Sequence, residues 1–441
     1  MIDIESRLSL GGIGLNSTAA HAYLVNIAET IQQVLIPQLQ GHAYKNANDS
    51  VEVLLMLATA LQAPVASRDV IAAIDRDGDL CAQALAEGRA FDATYERANT
   101  LLANVRRSKA PLARTVDAAR IEAYLRSHPQ GGPDLRLRTA VPLPGGRSKQ
   151  TILVGVERAR ALPDELVFRQ DWAAAVTNTS VSLEFEVLRR VHAAGIRVPQ
   201  PLLVESSSEI LGAPFIVVGR VQGRTIGNIF DPPSEQPVRE LADQLGRIHA
   251  LDKDHFVGLP GMTERSYTTA QLRDDLTRFR SGIERLGSPL PALVRFALDW
   301  LDRTVDQVRG RQSLVHGDCG WHNNLVEGEH LTAVLDWEMF HLGNPCLDLG
   351  WMKSANEKAI PWDEFIAIYQ AAGGPEPDAF TVDWYSIYTK MWVLDLLLQC
   401  RDVVSSGAMR DIDYTHVSTL YTAQLFAHLS RAMPQALAHG K

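Results

Sequence analysis

Apolar positions in the first quarter of the chain recur every three to four residues. Leu24, Ile27, Ile31 and Leu35 share one face of a segment that Asn16, Ser17 and Thr18 can cap, predicting a helix to about Ile36. Further helical patterns fall near residues 49–61, 68–85 (interrupted around Gly78), 91–107 and 116–126. The turn-rich run HPQGGP at 128–133 then breaks the pattern and marks a domain boundary. Beyond it, residues 151–156 and 165–169 read as strands, 182–194 as a helix, and 201–204 and 215–218 as two more strands. Helical spacing returns at 240–251, 270–283 and 290–308, and short strands at 324–326 and 332–335 interrupt it. Helices then dominate, notably 384–400 and 414–432. This order predicts an α+β chain with an N-terminal all-α domain (1–128), a small sheet-based lobe (129–222) and a larger helical lobe (223–441).

Composition narrows the setting. A chain of 441 residues, 46% hydrophobic and 22% charged, can bury more than one core. No apolar run reaches membrane-spanning length, and Met1–Glu5 lacks the basic start of a secretory leader. Cys81, Cys319, Cys346 and Cys400 are scattered with no CxxC or zinc spacing. Free thiols in a reducing, cytoplasmic setting are expected, with no membrane partner. The net charge of −9 argues against non-specific nucleic-acid binding. It lies wholly in residues 313–441, which hold 16 Asp and Glu against 7 Lys and Arg.

The sharpest chemical signal is LVHGDCGWHNNL at 314–325, followed by VLDWE at 334–338. Moving a phosphoryl group from ATP needs a carboxylate at the acceptor hydroxyl and oxygen ligands that hold magnesium against the phosphates. Asp318 fits the first role; Asn323 and Asp336 fit the second. A hairpin turn at Glu327-Gly328-Glu329 would return Asp336 to the vicinity of Asn323. Asp, Asn and Gly are common in loops, but HGD, an Asn five residues on and an Asp ending the next apolar strand form an ordered set that turn chemistry does not explain. His316 reads as structural support for the loop, and His322 as a loop residue able to touch acceptor or metal. Nothing near Cys319 resembles a thiol-activating pair.

These motifs resemble the aminoglycoside phosphotransferase-like, or choline-kinase-like, family, in which HGDxxxxN replaces the HRDxxxxN of protein kinases. The continuation through GNPCLDLG at 343–350 resembles the branch of kinase domains joined to acyl-CoA dehydrogenases. The resemblance covers roughly residues 135–435 and implies a bilobal protein-kinase-like fold, with a small antiparallel sheet in the first lobe and helices in the second. It implies ATP and magnesium as cofactors, with Asp318 as the catalytic base and Asn323 and Asp336 on the metal. It also assigns nucleotide contacts to Gly145, Gly146 and Ser148 in a glycine-containing turn, to Arg169 in place of the usual lysine, and to Val218 and Arg220 in the hinge between lobes. Glu184, rather than Glu186, is the partner the family register gives Arg169.

The resemblance implies a small-molecule acceptor bearing a hydroxyl. Tyr388, Trp392 and Asp395 recur at helical spacing and could line its site, although such a stripe more often belongs to a core. The acidic C-terminal part favours a cationic acceptor, an aminoglycoside, macrolide or amino alcohol. The branch resemblance implies a hydroxyacyl-CoA instead, with Arg106, Arg107 and Lys109 available to its anionic portion. VLIPQLQGHAY at 34–44 loosely resembles a helical domain accompanying such kinases. The N-terminal helices could pair copies of the chain, cap the acceptor site or bind CoA. A binding module of pseudokinase type is the reading from another class, and Arg169 is the one feature in its favour.

Overall fold

The computed structural model of the protein describes residues 116–143, 149–171, 180–226, 232–265, 267–284, 292–405, 425, 428–429 and 431–438. Of the helical domain expected over 1–128, only its last helix is among them. The described residues divide into two compact units, 116–267 with 309–378 and 268–308 with those from 379 onward.

The first unit begins with α1 (Ala118–Ser127), whose first turn is capped by Asp117 accepting from the Arg120 amide at 3.0 Å. Strands β1 (Arg136–Pro142), β2 (Lys149–Glu157) and β3 (Glu165–Asp171) follow, then α2 (Val181–Ala193), β4 (Pro201–Glu205) and β5 (Phe215–Gly219). The five strands form one antiparallel sheet in the order β1-β2-β3-β5-β4. Strand alternation gives the sheet two distinct faces. Phe168 pairs with Ile152 and Val217, and this face packs with Ile121 and Leu125 of α1 and with the Phe215 ring, 5.4 Å from that of Phe168. Helix α1 lies before the turn-rich run at 128–133, yet it shares the core of the sheet.

The opposite face carries Arg169, which pairs with Thr151 and Ile216, and the Lys149–Asp171 pair one step along. Helix α2 covers the sheet through β4, β5 and β3. Its start is fixed twice, by Ser180 Oγ accepting from the Leu183 amide at 3.3 Å and by Asp171 Oδ2 accepting from the Val181 amide at 3.2 Å.

The remainder of this unit holds β6 (Arg224–Thr225), α3 (Glu235–Ala250), β7 (Ser313–Val315), β8 (Asn324–Glu327), β9 (His330–Val334), β10 (His341–Gly343), α4 (Cys346–Asn356) and α5 (Trp362–Ala371). Helix α3 starts five residues before the expected position because Pro237 falls in the first turn, where no intrahelical N–H is required. Strands β8 and β9 form the expected hairpin, with Glu327 opposite His330 and Gly328 at φ +60°. Glu240 of α3 clamps that hairpin, accepting from the Leu331 amide at 2.8 Å and pairing with Arg197 at 2.6 Å and His330 at 2.8 Å.

In the second unit, helices Thr269–Glu284 and Ala292–Thr304 pack with a long helix, Ala379–Ser405. That helix is buried on all sides over residues 381–391, so no amphipathic stripe marks its beginning. Tyr388 is buried there and donates to Asp275 Oδ2 at 2.6 Å, while Asp395 is buried and accepts from Gln399. No helix among the described residues is long and apolar enough to cross a membrane.

Candidate active site

The segment 316–323 is held in place mainly by one buried carboxylate. Asp348, in the first turn of α4, accepts from the amide of His316 at 2.8 Å and from that of Gly317 at 2.9 Å. Its Oδ2 also meets His249 Nε2 at 3.0 Å, and His249 Nδ1 lies 2.9 Å from the Tyr369 hydroxyl. Burial alone would raise the pKa of Asp348, but His249, His316 and the Gly317 amide hold it below the ordinary carboxylate value. Helices α3, α4 and α5 thus meet at the base of the loop.

His316 has no proton-transfer capacity left. Its Nε2 faces the carbonyl oxygen of Leu335 at 2.9 Å, an acceptor, so Nε2 carries the hydrogen. Its Nδ1 then accepts from the Asp318 amide at 3.2 Å, and the ring lies edge-on to Trp337 at 4.7 Å. Gly317 adopts φ +83°, and a side chain there would begin 2.4 Å from the Met339 carbonyl oxygen. An arginine in the middle position of HGD would not fit this backbone.

Asp318 follows, with Oδ2 3.3 Å from His322 Nε2 and Oδ1 buried without a hydrogen-bond partner. Asn323 donates through Nδ2 to the Asp318 carbonyl at 2.9 Å, leaving its own carbonyl Oδ1 for a ligand. The Leu335 amide donates to the Asn323 carbonyl at 2.7 Å, extending the β8–β9 register by one bond and bringing Asp336 beside Asn323. Asp336 sits at φ +61°, in the left-handed region that non-glycine residues adopt rarely.

Arg169 joins this loop to the sheet. Its NH2 lies 2.6 Å from Asp336 Oδ1, and its Nε lies 3.1 Å from Glu184 Oε1. Glu184, buried in the first turn of α2 where the helix dipole favours a carboxylate, is the acid that meets Arg169. Glu186 pairs instead with Arg189 and Arg190 on the exposed face. Burial works against the charge on Arg169, but Glu184 and Asp336 outweigh it and hold the guanidinium protonated. Burial likewise pulls Asp336 up, and Arg169 pulls it further down, so Asp336 is ionised. Glu184 is raised by burial despite its two cationic neighbours.

Two oxygen donors, the Asp336 carboxylate and Asn323 Oδ1, fit a hard divalent cation such as magnesium. Among the described residues no group of three or more His, Cys, Asp or Glu is arranged to hold a metal ion. An ion at Asn323 and Asp336 would therefore complete its shell with phosphate oxygens and water.

The model of the APH phosphotransferase enzyme family matches residues 139–385, more than half of the chain. The chain belongs to this family. Acyl-CoA dehydrogenase family member 11 of Rattus norvegicus is 28% identical over 246 residues, which are 53% of this chain and 30% of that protein. The Gallus gallus protein of the same name is 29% identical over 183 residues, covering 39% and 22% of the two chains. The chain thus spans less than a third of the length of these relatives. Among solved structures, a Ralstonia eutropha protein provisionally named as an aminoglycoside phosphotransferase matches with a TM-score of 0.53 at 16% identity, over 71% of this chain and 98% of its own. Spectinomycin phosphotransferase APH(9)-Ia, solved with ADP and spectinomycin, matches with a TM-score of 0.51 at 14% identity, over 73% and 100%. The fold of this phosphotransferase is therefore the kinase-like α+β fold.

The Arg169–Glu184 pair has a second buried cation beside it, on the neighbouring strand. Lys149, buried at the start of β2, lies 2.9 Å from Asp171 Oδ1 and 3.8 Å from Glu184 Oε2. Its signal was available: alternation places it on the same face as Thr151, opposite Arg169. His249 and Tyr369 carried no local signal, because only the packing of α3 and α5 brings them to Asp348. Gly145, Gly146 and Ser148 lie outside the described residues, as do Arg106, Arg107 and Lys109. Val218 is buried in the sheet. Arg220 turns its guanidinium to Glu165 at 2.9 Å, four residues along β3 from Arg169, and its amide donates to the Glu165 carbonyl. The Gly219 amide is likewise taken by the Gln200 carbonyl, so neither amide is free to read a base edge. Cys319 is buried and its thiol pKa is raised well above the usual value by burial, which keeps it protonated and unreactive.

Proposed function

We propose that this phosphotransferase moves the γ-phosphoryl group of ATP, with magnesium, to a hydroxyl of a small molecule, and that the acceptor is a hydroxyacyl-CoA. One observation carries the reading: Asp318 keeps a buried, unpartnered Oδ1 beside a loop in which Asn323, Asp336 and Arg169 converge. Asp318 Oδ1 accepts the hydroxyl proton as the new oxygen–phosphorus bond forms, and the bond from γ-phosphorus to the bridging oxygen breaks, its electrons leaving with ADP. Asn323 and Asp336 would hold the metal through their oxygens, and the metal would supply charge neutralisation at the phosphates. Arg169, held by Glu184, donates to phosphate oxygens in a fork geometry that an ammonium does not reproduce.

The acyl-CoA part of the proposal draws on the names of the relatives in Rattus norvegicus and Gallus gallus. A cytoplasmic setting is consistent with Cys319 and Cys346, which are buried free thiols. A second reading, phosphorylation of a cationic antibiotic, takes its support from the 16 acids against 7 bases in residues 313–441. The test is a mass-shift screen for phosphorylated product with Mg·ATP over short hydroxyacyl-CoAs, aminoglycosides and macrolides. Phosphorylation of a hydroxyacyl-CoA, lost in Asp318→Asn, is expected. Product from antibiotics alone favours the second reading, and Mg·ATP binding without turnover on any acceptor marks a binding module instead. Full activity in Asp318→Asn overturns the assignment of the base.

A further inference from the structure

The loop contains a histidine that the mechanism above leaves without a task. His322 is the middle residue of the 3-10 turn Trp321–Asn323 and brings Nε2 to 3.3 Å from Asp318 Oδ2. An ionised carboxylate only accepts, so Nε2 carries the hydrogen and Nδ1 is left over. That Nδ1 and Asp318 Oδ1 are both buried, and neither has a hydrogen-bond partner. The carboxylate is therefore occupied on one oxygen and open on the other.

The residue beneath the ring explains how His322 reaches this position. Gly320 has φ −59°, which any residue can adopt, so glycine is not needed there for backbone conformation. It is needed for room. A Cβ on Gly320 would lie 2.7 Å from both Cε1 and Nδ1 of His322, and 3.3 Å from Trp351 Nε1. The absence of a side chain at residue 320 lets the imidazole fold back over the loop and face Asp318. Two features separated by a single residue thus serve one contact.

We propose that His322 is a positioning residue for the acceptor step, fixing Asp318 Oδ2 so that Oδ1 alone is presented to the hydroxyl, and that Gly320 provides the space its ring occupies. The inference rests on the reading of Asp318 as the base. A carboxylate free to rotate about χ2 presents either oxygen to the acceptor or to a neighbouring cation, and its productive orientation is only fractionally populated. One N–H bond removes that freedom. The effect belongs to the phosphoryl-transfer step and not to nucleotide binding.

The test compares His322→Ala, His322→Gln, Gly320→Ala, the double variant His322→Ala/Gly320→Ala, and Asp318→Asn in the full chain. Transfer from Mg·ATP is followed with water as acceptor and with the hydroxyl compound that the screen identifies. Loss of the positioning bond is expected to lower kcat about 10- to 100-fold in His322→Ala, with the KM for ATP nearly unchanged. His322→Gln, whose amide can donate to Oδ2 in place of the ring, restores most of the rate. Gly320→Ala costs a comparable factor alone and adds little in the His322→Ala background, since both remove the same contact. Unchanged kcat in His322→Ala, with Asp318→Asn inactive, overturns this inference and leaves the proposed function intact. Additive losses in the double variant, or a rise in the KM for ATP that accounts for the whole effect, also overturn it. Activity in Asp318→Asn removes the proposed function as well. Should His322→Ala fail to fold, the Gln variant decides: recovered rate supports the contact, and a loss equal to that of Gly320→Ala refutes it.

Discussion

Arg169 NH2 lies 2.6 Å from Asp336 Oδ1, across 167 residues of sequence, and its Nε lies 3.1 Å from Glu184. One guanidinium thereby bridges the sheet, helix α2 and the end of the β8–β9 hairpin. Lysine carries a single donor head and cannot make both contacts in this geometry. Arg169→Lys is expected to weaken Mg·ATP binding about tenfold, a change of about 1.4 kcal/mol, measurable by titration calorimetry. Arg169→Met would strand Glu184 in the interior with Lys149 as its remaining cationic partner. A loss of about 3 to 5 kcal/mol in urea unfolding is expected for that variant. An Arg169→Met protein as stable as the parent would show that Glu184 is neutral in the folded chain.

Asp336 joins an unusual backbone to a chemical role, and the two can be separated. Asn tolerates the left-handed region, whereas Ala there costs about 1 to 2 kcal/mol. Asp336→Asn should therefore retain the melting temperature of the parent within a few degrees, its Oδ1 still accepting from Arg169, while losing transfer activity, because it lacks the carboxylate proposed to meet the metal. Asp336→Ala should lose both. Equal melting temperatures for the two variants would mean that φ +61° is not maintained by the fold.

Asp348 accepts three hydrogen bonds at full burial, from two backbone amides of the loop and from His249. Asp348→Ala leaves buried donors without partners, each costing about 1 to 3 kcal/mol. The expected outcome is a fall in stability of several kcal/mol together with loss of activity. His249→Phe removes the contacts to Asp348 and to the Tyr369 hydroxyl but leaves both loop amides paired, and should cost less in both, which chemical unfolding and a transfer assay would show.

The parts of this site legible in the sequence are those whose partners lie within one supersecondary unit. HGD, Asn323 and Asp336 belong to one strand–hairpin–strand run, and the turn at Gly328 fixes their register. The two faces of β2 and β3 could likewise be read from alternation, and with them the side on which Arg169 projects. Strand β1 could not: it is an edge strand with only Pro142 buried, so its polar positions carry no alternating apolar signal. Helix α3 extends five residues ahead of its periodic stretch because Pro237 is accommodated within the first turn. The His249–Asp348–Tyr369 group needed three helices packed together, and local periodicity does not encode which residues meet at a helix junction.

Acid should weaken this protein through His341. Burial, assisted by the positive charge of Arg265, lowers the His341 pKa from 6.5 to about 4, while the Met339 carbonyl and Asp348 act in the opposite sense. The ring donates from Nδ1 to Met339 O at 3.0 Å, and Nε2 is buried without a hydrogen-bond partner. The unfolded chain takes up a proton at this position as pH drops below about 6.5, and the folded chain does so only near 4. In that window the unfolded state binds more protons, so stability falls with falling pH, is complete above 6.5 and levels off below 4. The full shift corresponds to about 3 kcal/mol as an upper figure. Urea unfolding at a series of pH values should show a slope between pH 6.5 and 4.5 that is shallower in His341→Gln, whatever that variant does to stability at pH 8. An identical slope in the two proteins would mean that the His341 ring is protonated, or exposed to solvent, in the folded state. The strand pair β7–β10, which sets the entry to the Asp318 loop, would then be looser than its hydrogen bonds indicate.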